Sequence, residues 1–355
     1  MNLENDYKEL HKIPELGFME FKTKEYILNR LKKLKAKIYE VGQTGIIAYF
    51  DYGSNKTIAF RAELDGLKIK EENDIDYKSI NEGFMHACGH DGHMSIALSL
   101  CDYLNENECP NNICVIFQPS EEIYGGALEI VNNNYFKQLC IKEIYAIHLW
   151  PNLKEGLIYS KSGSLLASST EIDIKIIGKS AHIANYVNGI DAIKVANELL
   201  SKLVSSQDII FNCGNIITKG SRNTVCSEVL LECSLRSFSI TKKYFFLEMI
   251  NRVAKELVKK YSVNIYINSE KFLPVVSNDY GLFVKHNNLI NEITEPFYQS
   301  EDFSVYSDHL KTLFFLLGTG ESECLHSSKF NFDTSILKKG LDLFISIANQ
   351  KWYET

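Results

Sequence analysis

The stretch Gly83-Phe-Met-His-Ala-Cys-Gly-His-Asp-Gly-His93 crowds three histidines, a cysteine and an aspartate into the eight positions from His86 to His93. Thiolate and imidazole suit zinc and other borderline divalent ions, and extended chain can turn residues two apart to one face. The stretch lacks the paired C-x-x-C or H-x-x-x-H spacing of closed metal sites. Three readings therefore stand together: a catalytic centre completed from elsewhere, a structural zinc site, or a polar loop. The apolar positions that follow, Met94, Ile96, Ala97, Leu98 and Leu100, predict a helix with His90 and His93 near its first turn.

Other polar groups stand at the ends of runs that read as strands. Thr57-Ile-Ala-Phe-Arg-Ala-Glu ends in Glu63-Leu-Asp65, Asn112–Gln118 stops at Pro119-Ser-Glu121-Glu122, and Glu143-Ile-Tyr-Ala-Ile-His148 ends in an imidazole. Adjacent side chains on extended backbone point apart, so one of Glu121 and Glu122 could bind metal while the other faces a reacting water. A solvated acidic pair at a helix N-terminus is the competing account of the two glutamates, and a core histidine that of His148. His326, in Cys324-Leu-His-Ser-Ser328, follows the late strand Thr312–Leu317. His11, His286 and His309 have no acidic or imidazole context in the sequence and read as structural or exposed.

The elements that must position these groups form an α/β pattern. Two helices before Leu34, strands near Lys37, Gly45 and Thr57, the helix after His90, the strand Asn112–Gln118, a helix near Gly126 and the strand ending at His148 suit a sheet with its site beyond the strand ends. Past about residue 165 the grammar changes. Thr170–Ile177 alternates strictly, and a helix, two strands (Asn215–Thr218 and Glu228–Arg236), a helix over Lys243–Tyr261 and a strand Ser262–Asn268 follow in the order of a split βαβ unit. The α/β pattern then returns. The expected architecture is a large mixed-sheet α/β catalytic domain of residues 1–166 and 279–355, with an inserted α+β ferredoxin-like lid of residues 167–278.

With 355 residues, two domains are the natural expectation. The formal net charge of -7 offers no footprint for nucleic acid or an anionic membrane surface. No stretch approaches a membrane span or a signal peptide, and the nine cysteines, mostly in small-hydrophobe settings, suit a reducing compartment, so a cytoplasmic protein is expected.

Five segments match one pattern: His11-Lys-Ile-Pro-Glu-Leu-Gly17, Arg61-Ala-Glu-Leu-Asp65, His86-Ala-Cys-Gly-His-Asp91, Phe117-Gln-Pro-Ser-Glu-Glu122 and Leu325-His326. In this order the chain resembles the M20 family of metal-dependent amidohydrolases and peptidases, within it the branch of hippurate hydrolases and aminoacylases, and most closely the N-acetyldiaminopimelate deacetylases. The resemblance implies Cys88, His90, Glu122, His148 and His326 as ligands of one or two divalent ions, among zinc, manganese, cobalt and nickel. It implies Glu121 as general base and acid, with Asp65 supporting the ligand environment. Glu63 stands where this branch usually has aspartate. His86, Asp91 and His93 are then expected to orient ligands. In the inserted domain the resemblance makes His182 an oxyanion donor, sometimes supplied across a dimer, and Asn223 and Arg236 holders of a substrate carboxylate; the Tyr-Pro-His that many relatives carry after the lid histidine is replaced here by Asn185-Tyr-Val-Asn188.

The implied activity is hydrolysis of the amide bond of a small N-acyl amino acid, in a homodimer formed through the lid. Two other functions share these residues: a carboxypeptidase or dipeptidase, and a catalytically silent metal-binding dimer.

Overall fold

In the computed structural model, which describes residues 2–351, the continuous apolar runs become interior strands. Thr57–Glu63 and Asn112–Gln118 are buried at every position, as strands covered on both faces must be. They lie in an eight-stranded sheet with the order Lys37–Val41, Gly45–Phe50, Asn112–Gln118, Thr57–Glu63, Ile141–Trp150, Lys311–Gly318, Ile158–Ser160 and Asn291–Glu292. Its four central strands run parallel, while Lys37–Val41 and Gly45–Phe50 are antiparallel additions at one side, so the sheet is mixed.

The chain leaves Thr57–Glu63 through a helix to a neighbour on one side, then crosses to the strand on its other side. Crevices form where connections diverge in this way. Register aligns the strand ends there: Glu63 pairs with Gln118, and His148 with Leu316. Helices Leu3–His11, His90–Glu106 and Leu337–Ala348 share one apolar core with the sheet, including Leu10, Phe60, Ile96, Phe315 and Phe344.

These elements belong to a first unit, made of the chain up to Leu165, Ser277–Glu295 and the chain from Asp302 onward. A second unit comprises Leu166–Val276 and Pro296–Glu301. Its antiparallel strands take the order Asn264–Asn268, Ser168–Ile177, Glu228–Ser237, Ile209–Lys219, the order of a split βαβ unit. The alternation read in the sequence buries Ile172, Ile174 and Ile176 against Val195 and Leu199 of helix Ala192–Lys202 and Phe246 and Ile250 of helix Ile240–Tyr261.

Three details differ from expectation. Residues 296–301, expected with the large domain, join the second unit, where the Ala167 amide donates to the carbonyls of Phe297 and Gln299 and Phe238 packs on Tyr298. The strand expected at Asn215 begins at Ile209. Cys140 and Cys324 are exposed rather than small core residues. Among the described residues, no helix is long and apolar enough to cross a membrane.

Candidate metal centre

Four of the five implied ligands come from places where a strand ends or a helix begins. Gly89 caps helix His90–Glu106 in the left-handed region at φ 82°, and a Cβ there would lie 2.7 Å from Leu149 Cδ1. Glycine is thus required by both backbone and space, and it brings Cys88 and His90 out on either side of the turn. After strand Asn112–Gln118 the chain turns through Ser120, a non-glycine residue at φ 49°, whose amide donates to the buried Glu20 carboxylate at 2.8 Å. The amides of Glu121 and Glu122 then both point at the Asp65 carboxylate, at 3.1 and 2.9 Å. His326, also at positive φ, is tied through its own amide to the Ala87 carbonyl at 2.8 Å.

The side chains converge. Cys88, His90 and His148 place ligand atoms within 4.8 Å of one another, and so do Cys88, Glu122 and His326; Cys88 is common to both groups. Cys88 Sγ is 3.4 Å from His148 Nε2, and His326 Nε2 is 3.2 Å from Glu122 Oε1. Glu121 joins His90 and Glu122 in a third group, and its Oε1 accepts the Asp302 amide at 3.3 Å.

Hydrogen bonds decide which ring atoms are available. His90 Nδ1 donates to the Asp65 carbonyl at 2.8 Å and His148 Nδ1 to the Leu149 carbonyl at 2.7 Å. Each ring is thereby left with a lone pair on Nε2, the tautomer that a metal ligand needs. His90 Nε2 and Glu122 Oε1 are buried with no hydrogen-bond partner among the described residues. A buried acceptor left this way costs about 1–3 kcal/mol unless something else occupies it, so the donor set fits a divalent cation. The electrostatics agree. Against the downward effect of burial, Asp65, Glu63 and Glu122 raise His90 to about 10, a field that favours positive charge at that ring. His148, deeper among imidazoles, is pushed down to about 3 by burial and by His93. Burial works to raise Glu122, but His326 and His90 hold its carboxyl below the ordinary range.

Several expectations need correction. Glu63 accepts from His93 Nδ1 at 2.8 Å and pairs with Arg61. Arg61 also donates to Asp302 at 2.6 Å and to Gln118 at 2.9 Å. Glu63 is thus part of a buried charge network. Asp91 orients no ligand ring: its Oδ1 accepts the Gly92 amide and its Oδ2 meets His11 Nδ1 at 2.6 Å. Among the described residues, His86 has both ring nitrogens buried without partners and belongs to none of the ligand groups. His11 has the acidic context that the sequence hid, since its other nitrogen lies 3.1 Å from Glu71 Oε1. Arg61 and Asp302 were missed; the available signal was an arginine inside an apolar run, which must find counter-charges when buried.

His182, Asn223 and Arg236 lie in the second unit. His182 Nδ1 accepts the Ala184 amide at 3.1 Å, leaving Nε2 to donate from an exposed ring. The Asn223 carbonyl accepts the Ile183 amide at 2.9 Å, which joins the two segments. Arg236 is elsewhere. It sits near the end of Glu228–Ser237, half-buried against Ser300, whereas Asn223 lies in the turn beyond the Lys219–Glu228 pair at the opposite end. At about 3.3 Å per residue, the step from Glu228 to Arg236 alone spans about 26 Å. One copy of this unit cannot close Asn223 and Arg236 on the same small carboxylate.

A mixed sheet with a thiolate, imidazoles and paired glutamates gathered at its strand ends defines a metal-dependent hydrolase. The chain belongs to the peptidase family M20/M25/M40, whose pattern matches residues 59–350. It is 34% identical to an uncharacterized hydrolase of Staphylococcus epidermidis, over 93% of each chain. It is 32% identical to the N-acetyldiaminopimelate deacetylase of Leuconostoc citreum, over 94% of this chain and 92% of that one. A crystal structure from Bacillus subtilis, described as a dinuclear metal binding peptidase from the M20 family, superposes with a TM-score of 0.85 at 28% identity, covering 98% of this chain and 96% of its own.

Proposed function

We propose that the protein hydrolyses the amide bond of an N-acyl amino acid, with N-acetyldiaminopimelate the first substrate to try. The carrying observation is the Asp65 carboxylate that gathers the amides of Glu121 and Glu122. It sets one glutamate among Cys88 and His326 and its neighbour beside His90. Cys88, His90, Glu122, His148 and His326 would hold one or two divalent ions, which supply Lewis acidity to the acyl carbonyl and to the attacking water. Glu121 takes the proton of that water and returns it to the leaving amine. The Asp302 amide on its Oε1 helps to keep the carboxylate turned.

His182, through Nε2, donates to the developing oxyanion, and Arg236 binds the free carboxylate with its planar fork. The wide separation of Arg236 from His182 and Asn223 supports a homodimer in which two copies contribute to each site. So does the outer strand Ile209–Lys219, an edge with Ile216 and Ile217 about half exposed.

The test is product release from N-acetyldiaminopimelate, hippurate and simple dipeptides with manganese, zinc or cobalt added, for the native chain and Glu121→Gln. Acetate release by the native chain, with turnover down by orders of magnitude but metal retained in Glu121→Gln, is expected. Cleavage of dipeptides alone would favour the peptidase function. Failure across the whole panel would leave a metal-binding protein without activity.

A further inference from the structure

Among the described residues the five groups of ligand atoms overlap, and one of them, Glu63, His90 and His93, competes with the centre proposed above. Hydrogen bonding separates them. The Leu149 amide donates to His93 Nε2 at 2.9 Å, so that nitrogen holds a lone pair already in use. The proton of the ring is then on Nδ1, where it is donated to Glu63 Oε2. Both nitrogens of His93 are committed within the protein. The ring nevertheless lies 4.6 Å from that of His148, centroid to centroid, and all of Glu63, His93 and His148 are buried.

The two bonds to Leu149 form one device. Its amide is held by His93, and its carbonyl accepts from His148 Nδ1. The amide and the carbonyl of Leu149 belong to successive planar peptides joined at its Cα, and strand pairing with Leu317 holds that backbone, so His93 fixes one end of the residue whose other end holds the His148 ring. We infer that Glu63 and His93 are positioning residues: through the backbone of Leu149 they hold His148 Nε2 toward Cys88, and neither binds the ion itself. The length of the glutamate serves this purpose. From the end of its strand, Glu63 reaches Arg61 with one oxygen and His93 with the other, while Arg61 is anchored on Gln118 and Asp302. The chain Arg61, Glu63, His93, Leu149, His148 links the buried cation of one central strand to a ligand on the next.

This inference rests on the metal centre proposed above, so the experiment reads metal binding rather than activity. Native protein, His93→Phe and Glu63→Gln are titrated with zinc against a chromophoric chelator, and their cobalt-substituted forms are compared by visible absorption. Phe keeps the ring without its nitrogens. Gln keeps the volume but brings an amide donor between two donors, Arg61 and His93, and must give up one of them. Both variants are expected to weaken one of the bound ions roughly tenfold or more, the scale for ligand-orienting partners, and to shift the cobalt spectrum while the circular dichroism stays native. Native affinity and spectrum in both variants would overturn the inference. Loss of an ion in His93→Phe with no change in Glu63→Gln would make His93 a ligand instead. If His93→Phe does not fold, Glu63→Gln decides alone. A native chain that binds no ion would defeat the metal centre as well.

Discussion

Replacing His11 by glutamine tests how the first helix holds the ligand-bearing one. His11 donates from one ring nitrogen to Asp91 and from the other to Glu71, which requires the doubly protonated ring. Burial works to lower its pKa, but the two carboxylates raise it from 6.5 to about 9. At about 1.4 kcal/mol per pH unit this corresponds to at most about 3.5 kcal/mol. Because folding raises the pKa, the contribution is present in full below pH 6.5 and is lost as pH climbs through about 9. The partner carboxyls are both held below their ordinary range and do not titrate in this window. Urea unfolding, followed through Trp150 in the first unit, would be measured at pH 6 and pH 10 for native protein and His11→Gln. The native form should exceed the variant by roughly 2–3 kcal/mol at pH 6 and by much less at pH 10. An equal difference at both pH values would refute the reasoning. Since Asp91 directly follows His90, the same variant should also loosen metal binding.

Asp65→Asn keeps one acceptor and turns an amide donor toward the N–H of Glu121 or Glu122. Losing one charge-assisted bond costs about 1.5–3 kcal/mol, and turnover should fall at least roughly tenfold by the same energy; an unchanged kcat would remove Asp65 from the site. Mixing His182→Ala with Arg236→Ala tests sharing between copies. If each site draws the two groups from different copies, hybrid dimers carry one intact site, and an equal mixture recovers about a quarter of native activity. Two inactive variants that stay inactive after exchange of subunits would make each chain self-sufficient.

The strands and most of the proposed ligand set were legible because buried parallel strands are written as uninterrupted apolar runs, and a polar residue closing such a run stands out. Glu63, His148 and the glutamate pair were found in that way. What could not be read depends on backbone conformation or on distant partners. Ser120 in the left-handed region turns two amides toward Asp65, yet nothing in Pro-Ser-Glu-Glu announces a positive φ at serine. Glu20 and Asp302 look like surface acids, but Glu20 accepts from Ser120 and Thr44 and Asp302 from Arg61, Gln118 and the Ala127 amide. His86 shows the converse. Its setting in the richest cluster suggested a role beside the ligands, but the residues around it supply no partner.

Charge balance explains why these groups tolerate burial together. Besides Glu121, which accepts the Asp302 amide, Glu63, Asp65, Asp302 and Glu122 bring four carboxylates to this region, and Arg61 is a fixed cation among them. Three have their charge met inside the protein: Glu63 by Arg61 and His93, Asp302 by Arg61, Gln118 and an amide, Asp65 by two amides. Such pairing is what makes buried charge bearable, since an uncompensated carboxylate costs several kcal/mol. Glu122 is different. Its Oε1 is buried without a hydrogen bond, and its neighbours are His326 and His90, rings whose nitrogens face it rather than close on it. Glu122, which shares its surroundings with Cys88, therefore carries negative charge that the neighbouring side chains leave unmet, and a cation there completes a balance that Glu63, Asp65 and Asp302 have already reached.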